Sequence, residues 1–382
     1  MRHVSLPWAP PLYFLYYAAA ATLLPFLTIY YQDLGLTGTQ IGFLASLPPL
    51  LSLVSAPVWG IVSDTLKQRK LSLLIAISGA TLLALALSAI QAFASLIPAV
   101  MLFSFFFSPI MPLVDTTTMS LLGGQKERYG RLRLWGAVGW GVAAPVVGWL
   151  IERDSATWSF WAYAALMGLG LLIALRVPET GQIEVTPLAN HRVSLASPRW
   201  LLFLIIAFLG GMSLSMISNY LFVFLRQLGA DEFSLGLTLT VATLSELPIL
   251  FFSNHLLRRW NERQLTGTAL LFFALRALAY SLIGIPGWAL LIQLLHGPTF
   301  SLMWIAGVSY ADRIAPVGLE ATAQGLFSGV MLGIGSAVGA FLGGLLYEHV
   351  GLVTMFRLAA LLSLVGVGFV LMIKKHGYER DV

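Results

Sequence analysis

Two apolar runs that are joined by a short basic loop contain three residues capable of polar or stacking contacts. Asp115 lies within "FSPIMPLVDTTTMSLL", and Arg133 and Trp140 lie within "YGRLRLWGAVGW". Trp140 follows Arg133 by two helical turns and shares its face. A carboxylate, a guanidinium and an indole together suit a polar ligand with a flat apolar side. The alternative is an ion pair that only joins two helices, because an unpaired charge in apolar surroundings is costly.

Three further ionisable residues stand in the middle of apolar runs in the C-terminal half. Glu246 lies in "TLSELPILFF", Arg276 in "FALRALAY" and His296 in "QLLHGPTFSLMW". The alternative for each residue alone is a buried hydrogen bond that holds neighbouring helices together. Ionisable residues in such runs face a bundle interior or a water-filled cavity. We therefore expect them to share one cavity with Asp115 and Arg133.

The composition explains why these residues stand out. Of 382 residues, 58% are hydrophobic and 10% are charged, whereas a soluble chain has roughly a quarter of its residues charged. The chain is expected to reside in a membrane. It has no cysteine and scattered histidines, so we expect no disulfide, metal site or cofactor. No phosphate-binding loop and no nucleophile–base pair occur, which argues against an enzyme.

Apolar runs of about 20 residues, long enough to cross a bilayer as helices, recur along the whole chain. They are expected near 9–32, 40–62, 71–92, 95–121, 132–151, 157–176, 199–226, 234–256, 265–284, 287–310, 321–346 and 352–373. The count is twelve helices, with one substantial polar linker after the sixth.

The basic residues of the short loops predict the orientation of the helices. One side of the membrane receives Arg2, "KQRK" (67–70), Lys126, Arg128, Arg131, Arg192, Arg199, Arg258, Arg259, Arg263, Arg313, Lys374, Lys375 and Arg380. The other side receives few. Both termini are therefore expected in the cytoplasm, and the net charge of +5 reflects topology and not nucleic-acid binding.

The two halves resemble each other. A shift of 194 residues aligns Leu34 with Leu228, Gly35 with Gly229 and Gly42 with Gly236. Two similar halves around a midplane site are typical of secondary transporters. We expect an N-terminal six-helix bundle at 1–176, a cytoplasmic linker at 177–198 and a C-terminal six-helix bundle at 199–382.

The whole chain resembles the major facilitator superfamily, most closely its phenylpropionate permease branch and more distantly lactose permease. The stretches that carry the resemblance are "SPIMPLVD" with "YGRLRLWGAVGW", and "SNHLLRRW" with "LLHGPTF". The resemblance implies an all-α membrane protein with twelve transmembrane helices in two pseudo-symmetric six-helix bundles. It also implies a plasma-membrane (inner-membrane) location.

The same resemblance implies roles for the polar residues. In lactose permease a carboxylate on helix 4 and an arginine on helix 5 hold the sugar, and a tryptophan stacks on it. These roles correspond to Asp115, Arg133 and Trp140. The acid of helix 8, the arginine of helix 9 and the histidine of helix 10 correspond to Glu246, Arg276 and His296.

The chain departs from lactose permease in ways that weaken a detailed proton path. The second acid of helix 10 is replaced by Thr299, and helix 7 offers only Asn219 and Tyr220 as polar groups. Glu246 is the candidate for proton coupling, and a permanently ionised pair with Arg276 is the alternative. Tyr13, Tyr16 and Tyr17 of helix 1 are candidates to line the cavity.

The stretch "GIVSDTLKQRK", residues 60–70, resembles the G-x-x-x-D signature of the superfamily in part. Gly60 would permit close helix packing, and Asp64 would bind a helix N-terminus when the cytoplasmic gate closes. A solvated loop with positive charge accounts for Lys67, Arg69 and Lys70 but not for Asp64.

These observations lead to one functional prediction with stated alternatives. We expect a monomeric, proton-coupled symporter that takes up a small polar solute such as a sugar or nucleoside, with substrate contacts from Asp115, Arg133, Trp140, Asn219, Glu246, Arg276 and His296. The alternative is an aromatic carboxylate, for which Arg276 and His296 would supply positive charge. Drug or metabolite efflux by antiport is less favoured, because such pockets are mostly apolar.

Overall fold

The computed structural model describes residues 6–66, 68–123, 125–179, 197–316 and 319–372. These residues form helices and short connections, and no strand occurs among them. A helix satisfies every backbone amide within its own segment, which is what an apolar run needs in hydrocarbon.

Twelve long helices account for all twelve predicted spans. They are α1 (Ala9–Asp33), α2 (Gly38–Leu66), α3 (Arg69–Leu87), α4 (Phe93–Leu122), α5 (Tyr129–Arg153), α6 (Trp158–Ala174), α7 (Pro198–Gln227), α8 (Glu232–Phe251), α9 (Glu262–Tyr280), α10 (Trp288–Ile314), α11 (Glu320–Val350) and α12 (Leu352–Met372). Ten are long and apolar enough to cross a membrane, and α6 is a shorter apolar helix. The remaining helix, α9, carries Arg276 in its interior.

Several of these helices are locally irregular. A turn at residues 108–109 interrupts α4 next to Pro109. In α10 a π-helical segment, Gly297–Ser301, follows His296, and in α11 another spans Gly329–Gly335. Proline lacks the N–H that a regular helix needs, which suits Pro298 to such a segment. Single π-helical turns are frequent at functional sites.

Two compact units make up the structure. The first comprises Met1–Leu36, Leu50–Val185 and Asp231–Thr240, and the second comprises Thr37–Pro49, Thr186–Ala230 and Val241–Val382. Each unit therefore includes a short segment from the other half of the chain. The predicted six-plus-six division and the cytoplasmic termini stay predictions, because 180–196, 1–5 and 373–382 lie outside the described residues.

In the first unit, α1 packs against the glycine-rich face of α5. A Cβ atom at Gly139 would clash with the backbone of Phe14, and one at Gly136 would clash with the ring of Tyr17. Small residues allow membrane helices to approach this closely. The glycines of α5 thus hold the polar side chains of α1 beside it.

The predicted repeat is visible in two equivalent turns. Gly35 after α1 has φ 76° and Gly229 after α7 has φ 88°, a conformation that glycine adopts without steric cost. The Leu36 amide donates to the Tyr31 carbonyl, and the Ala230 amide donates to the Leu225 carbonyl, at 3.1 and 3.0 Å. Both are the same helix-ending motif, and the partners are 194 residues apart.

In the second unit, α7 lies against α11 with no room for a side chain at Gly211. A Cβ atom there would overlap the Met331 carbonyl oxygen. Because backbone cannot move as a flexible side chain can, we expect Gly211→Ala to destabilise the protein by about 1–3 kcal/mol. The measurement is the melting temperature of the purified protein in detergent.

Gly168→Ala in α6 is the matched control for that substitution. A Cβ atom at Gly168 meets no heavy atom within 4 Å, and alanine favours a helix more than glycine does. Its melting temperature should stay equal or rise. Equal melting temperatures for Gly211→Ala and the wild type would contradict the tight packing of α7 on α11.

Candidate functional site

The first unit contains a polar cluster around Asp115, which we call the N-terminal cluster: Tyr13, Tyr17, Asp115, Tyr129 and Arg133. Asp115 Oδ1 accepts from the Tyr13 hydroxyl at 2.6 Å, and its Oδ2 accepts from Arg133 Nη1 at 3.0 Å. Arg133 Nη1 also donates to the Tyr129 hydroxyl at 2.7 Å, and Nη2 donates to the Tyr17 hydroxyl at 3.2 Å. The predicted approach of Asp115 and Arg133 is therefore present.

The surroundings of this ion pair are open on one side. The Arg133 side chain is 47% exposed and that of Asp115 is 23% exposed. Exposed ion pairs add little to stability, about 0–1 kcal/mol. The pair therefore contributes little to folding while leaving polar atoms accessible.

The second unit contains a set of side chains joined by hydrogen bonds, which we call the C-terminal cluster: Glu246, Arg276, Gln293 and His296. Arg276 Nη2 donates to Gln293 Oε1 at 2.7 Å, and Arg276 Nη1 lies 2.8 Å from His296 Nδ1. His296 Nε2 lies 3.0 Å from Glu246 Oε1. Three helices, α8, α9 and α10, contribute residues to the C-terminal cluster.

The tautomer of His296 follows from this geometry. A guanidinium has only hydrogen-bond donors, so His296 Nδ1 must be the acceptor. The ring hydrogen is then on Nε2 and is donated to the Glu246 carboxylate. In this arrangement His296 is neutral, and the charges of Glu246 and Arg276 balance.

A close backbone contact between α8 and α10 positions the C-terminal cluster. Gly297 has no side chain, and a Cβ atom there would overlap the Ser245 carbonyl. Its amide donates to Ser245 Oγ at 2.8 Å. Since Glu246 follows Ser245 and His296 precedes Gly297, this contact between α8 and α10 brings carboxylate and imidazole together.

Burial separates the members of the C-terminal cluster. Arg276 and Gln293 are each 1% exposed, whereas the His296 and Glu246 side chains are 16% and 23% exposed. Arg276 is thus enclosed by its own partners, and Glu246 is the charged member with the more exposed side chain.

Two predicted site residues do not join the hydrogen bonds of either cluster among the described residues. Trp140 is half-buried in α5, two turns after Arg133. The Asn219 side-chain amide donates to the Ser215 carbonyl and to Ser215 Oγ, both at 2.9 Å, within α7. Their substrate contacts stay predictions.

The predicted gate residues border a small cavity of about 110 Å³ in the first unit, together with Arg69, Pro109 and Pro112. Asp64 Oδ1 pairs with Arg69 Nη2 at 2.8 Å. A Cβ atom at Gly60 would meet no heavy atom within 4 Å, so the close packing expected at Gly60 is not present in this structure. The gate role of Gly60 and Asp64 stays a prediction.

Within the described residues, no group of three or more histidine, cysteine or acidic side chains is arranged to hold a metal ion.

A family model decides the relationship of the chain to known proteins. The model of the "MFS_1 like family" matches residues 9–358. The chain belongs to the MFS_1 like family. It is a membrane transporter of the major facilitator superfamily that spans the bilayer several times, carries a small molecule, and is not an enzyme.

Named relatives of this MFS_1 like protein include two bacterial transporters. It is 28% identical to the maltose permease of Geobacillus stearothermophilus over 96% of this chain and 94% of the relative. It is 26% identical to the probable 3-phenylpropionic acid transporter of Escherichia coli (strain K12) over 91% and 92%. Both relatives match nearly end to end.

A solved structure with a similar fold is that of the nucleoside transporter NupG, with a TM-score of 0.86. The two chains are 19% identical, and the match covers 96% of this chain and 98% of the other. The fold class predicted from the sequence, an all-α membrane protein of the major facilitator superfamily, is confirmed.

Sequence reasoning missed two members of the clusters in this MFS_1 like protein. Gln293 precedes His296 by one turn, and Tyr129 precedes Arg133 by one turn. Residues three or four apart share a helix face. A lone glutamine in an apolar run beside a histidine was the signal available for Gln293.

Proposed function

We propose that this transporter takes up a neutral polyhydroxyl solute, a sugar or nucleoside, together with a proton by alternating access. The observation that carries the proposal is the enclosure of Arg276. It is 1% exposed, and both of its terminal nitrogens have protein partners.

The accessible groups of the C-terminal cluster favour hydroxyl binding. Glu246 is exposed on one side, and His296 uses its ring nitrogens on Arg276 and Glu246. A carboxylate accepts hydrogen bonds and donates none. A solute at this cluster would therefore meet an acceptor, which suits the O–H groups of a sugar or ribose.

The N-terminal cluster is also close to neutral. Asp115 neutralises Arg133, so neither cluster has a clear excess of positive charge. With one acid and one arginine in each cluster, a neutral solute leaves both in balance. We propose that Asp115, Arg133, Trp140, Asn219, Glu246 and His296 contact the solute, and that Arg276 acts through His296.

Glu246 is the proposed proton carrier. When it is ionised it accepts from His296, and when it is protonated its second oxygen can donate to a solute. Glu246 can therefore bind the proton and the solute while it keeps its hydrogen bond to His296. The rival is a permanently ionised Glu246 that forms a structural pair with Arg276, to which it is linked through His296.

The names of similar proteins support a polyhydroxyl solute without identifying it. One relative is named a maltose permease, and the protein with a similar structure is named a nucleoside transporter. We also propose a monomer with both termini in the cytoplasm and the six-helix halves at 1–176 and 199–382.

An aromatic carboxylate is the second candidate, because another relative is named a probable 3-phenylpropionic acid transporter. Arg133, which is 47% exposed, is the cation that such a solute could reach. The enclosure of Arg276 argues against this candidate.

The test is a thermal-shift screen of the purified protein followed by counterflow in proteoliposomes. The probes are maltose, D-glucose, uridine and 3-phenylpropionate. A ligand raises the melting temperature according to its occupancy. We expect stabilisation and counterflow with at least one neutral probe and with no carboxylate; stabilisation by 3-phenylpropionate alone would contradict the proposal.

A further inference from the structure

The guanidinium of Arg133 has unused donors. A guanidinium carries five N–H groups. Those of Nη1 are directed at Asp115 and Tyr129, and one of Nη2 is directed at Tyr17. The second Nη2 hydrogen and the Nε hydrogen have no acceptor among the hydrogen bonds of the described residues, and the side chain is 47% exposed. These two hydrogens form a free donor edge.

Tyr17 adds a third donor beside that edge. Its hydroxyl oxygen accepts from Arg133 Nη2 at 3.2 Å, which leaves its own hydrogen to be donated elsewhere. The Tyr13 hydroxyl differs, because it donates its hydrogen to Asp115 Oδ1 at 2.6 Å. The hydrogen of the Tyr17 hydroxyl has no acceptor among the hydrogen bonds of the described residues.

The Tyr17 ring is held in place by contacts on two sides. It lies directly on the backbone of α5 at Gly136, one turn after Arg133, where a Cβ atom would clash with it. On another side it meets the Tyr16 ring edge-on, with centroids 5.2 Å apart. A hydroxyl fixed in this way costs little ordering free energy when a ligand binds.

We propose that Tyr17 is a substrate-binding residue that, with the free edge of Arg133, donates hydrogen bonds to one oxygen acceptor of the solute. The inference rests on the proposed uptake of a neutral polyhydroxyl solute. The acceptor chemistry it selects is a hydroxyl oxygen.

The test compares Tyr17→Phe with the wild type and with Tyr163→Phe. Tyr163 is a matched control because its buried hydroxyl has no hydrogen-bond partner among the described residues. Affinities for maltose, D-glucose and uridine are measured by competition in counterflow. For a probe that the wild type binds, we expect Tyr17→Phe to weaken affinity about three- to tenfold, as for the loss of one hydrogen bond, and Tyr163→Phe to leave it unchanged.

Deoxy analogues separate direct contact from a change in protein shape. The series is 2-, 3-, 4- and 6-deoxyglucose with 2′-, 3′- and 5′-deoxyuridine. The wild type should bind the analogue that lacks the contacted oxygen more weakly than the parent compound. Tyr17→Phe should bind that analogue and the parent compound equally well. A uniform loss across all analogues would indicate a structural role and overturn the inference.

The outcomes also distinguish this inference from the proposed function. If the wild type binds none of the neutral probes, the proposed function fails and the inference fails with it. If the wild type binds a neutral probe and Tyr17→Phe binds it equally well, the inference alone is overturned.

Discussion

Glu246→Gln is expected to abolish concentrative uptake while leaving exchange intact. Glutamine keeps an oxygen that can accept from His296 Nε2, which lies 3.0 Å from Glu246 Oε1, but it cannot take up a proton. The variant should therefore bind solute and complete the exchange of loaded forms. It should no longer convert a pH gradient into a solute gradient.

The size of the effect follows from the coupling. With one proton per solute, a gradient of about one pH unit supports about tenfold accumulation, since about 1.4 kcal/mol is a factor of ten. In proteoliposomes with an acidic exterior, accumulation in Glu246→Gln should fall to near equal concentrations. Counterflow at equal pH should stay within severalfold of the wild type.

Glu152→Gln is the control for this experiment, because Glu152 is an exposed residue at the end of α5. It should accumulate solute as the wild type does. Full accumulation by Glu246→Gln would remove Glu246 as the proton carrier and favour the rival, a permanently ionised Glu246 in a structural pair with Arg276.

Asp115→Asn should have the second largest effect, a loss of solute affinity of about 10- to 100-fold, because a hydrogen bond to a charged group contributes about 1.5–3 kcal/mol. A carboxamide has one oxygen where the carboxylate has two, so its NH2 group must face either Arg133 Nη1 or the Tyr13 hydroxyl. Facing Arg133 it would set donor against donor, and facing Tyr13 it would reverse the direction of that hydrogen bond. Arg133 also loses its countercharge. The free donor edge beside Tyr17 would then be misplaced.

Affinity is measured by thermal shift and by counterflow with a neutral probe that the wild type binds. Asp154→Asn is the matched control, because Asp154 lies after α5, where it accepts a surface hydrogen bond from Trp158 Nε1 at 2.8 Å. A folded Asp115→Asn protein with wild-type affinity would return the pair to the alternative role of joining α4 and α5.

Much of the fold was accessible from the sequence because it depends on local properties. Apolar runs of sufficient length must become helices in a bilayer, and all twelve predicted spans are helices. The repeat could be recognised from the loop glycines, because the backbone has a positive φ at Gly35 and Gly229, which glycine adopts without steric cost. The ion pair of Asp115 and Arg133 was predictable since a short loop places both at comparable depth.

The sequence by itself therefore determined the class of protein, the helices and the six ionisable or aromatic residues worth testing. Only the tertiary structure decided how those residues are presented. Arg276 was a candidate to hold a solute carboxylate, yet packing of α9 and α10 encloses it behind Gln293 and His296. Gly60 was expected in a close helix contact and has open space around it.

The physical reason is the range of the interactions. Charge, hydropathy and backbone freedom belong to a residue and its neighbours in the chain. The partner of a donor and its exposure depend on how helices distant in sequence rotate against each other. Tyr17 meets Arg133 across 116 residues because Gly136 leaves room for its ring, and that contact, unlike the helices, exists only after α1 has packed on α5.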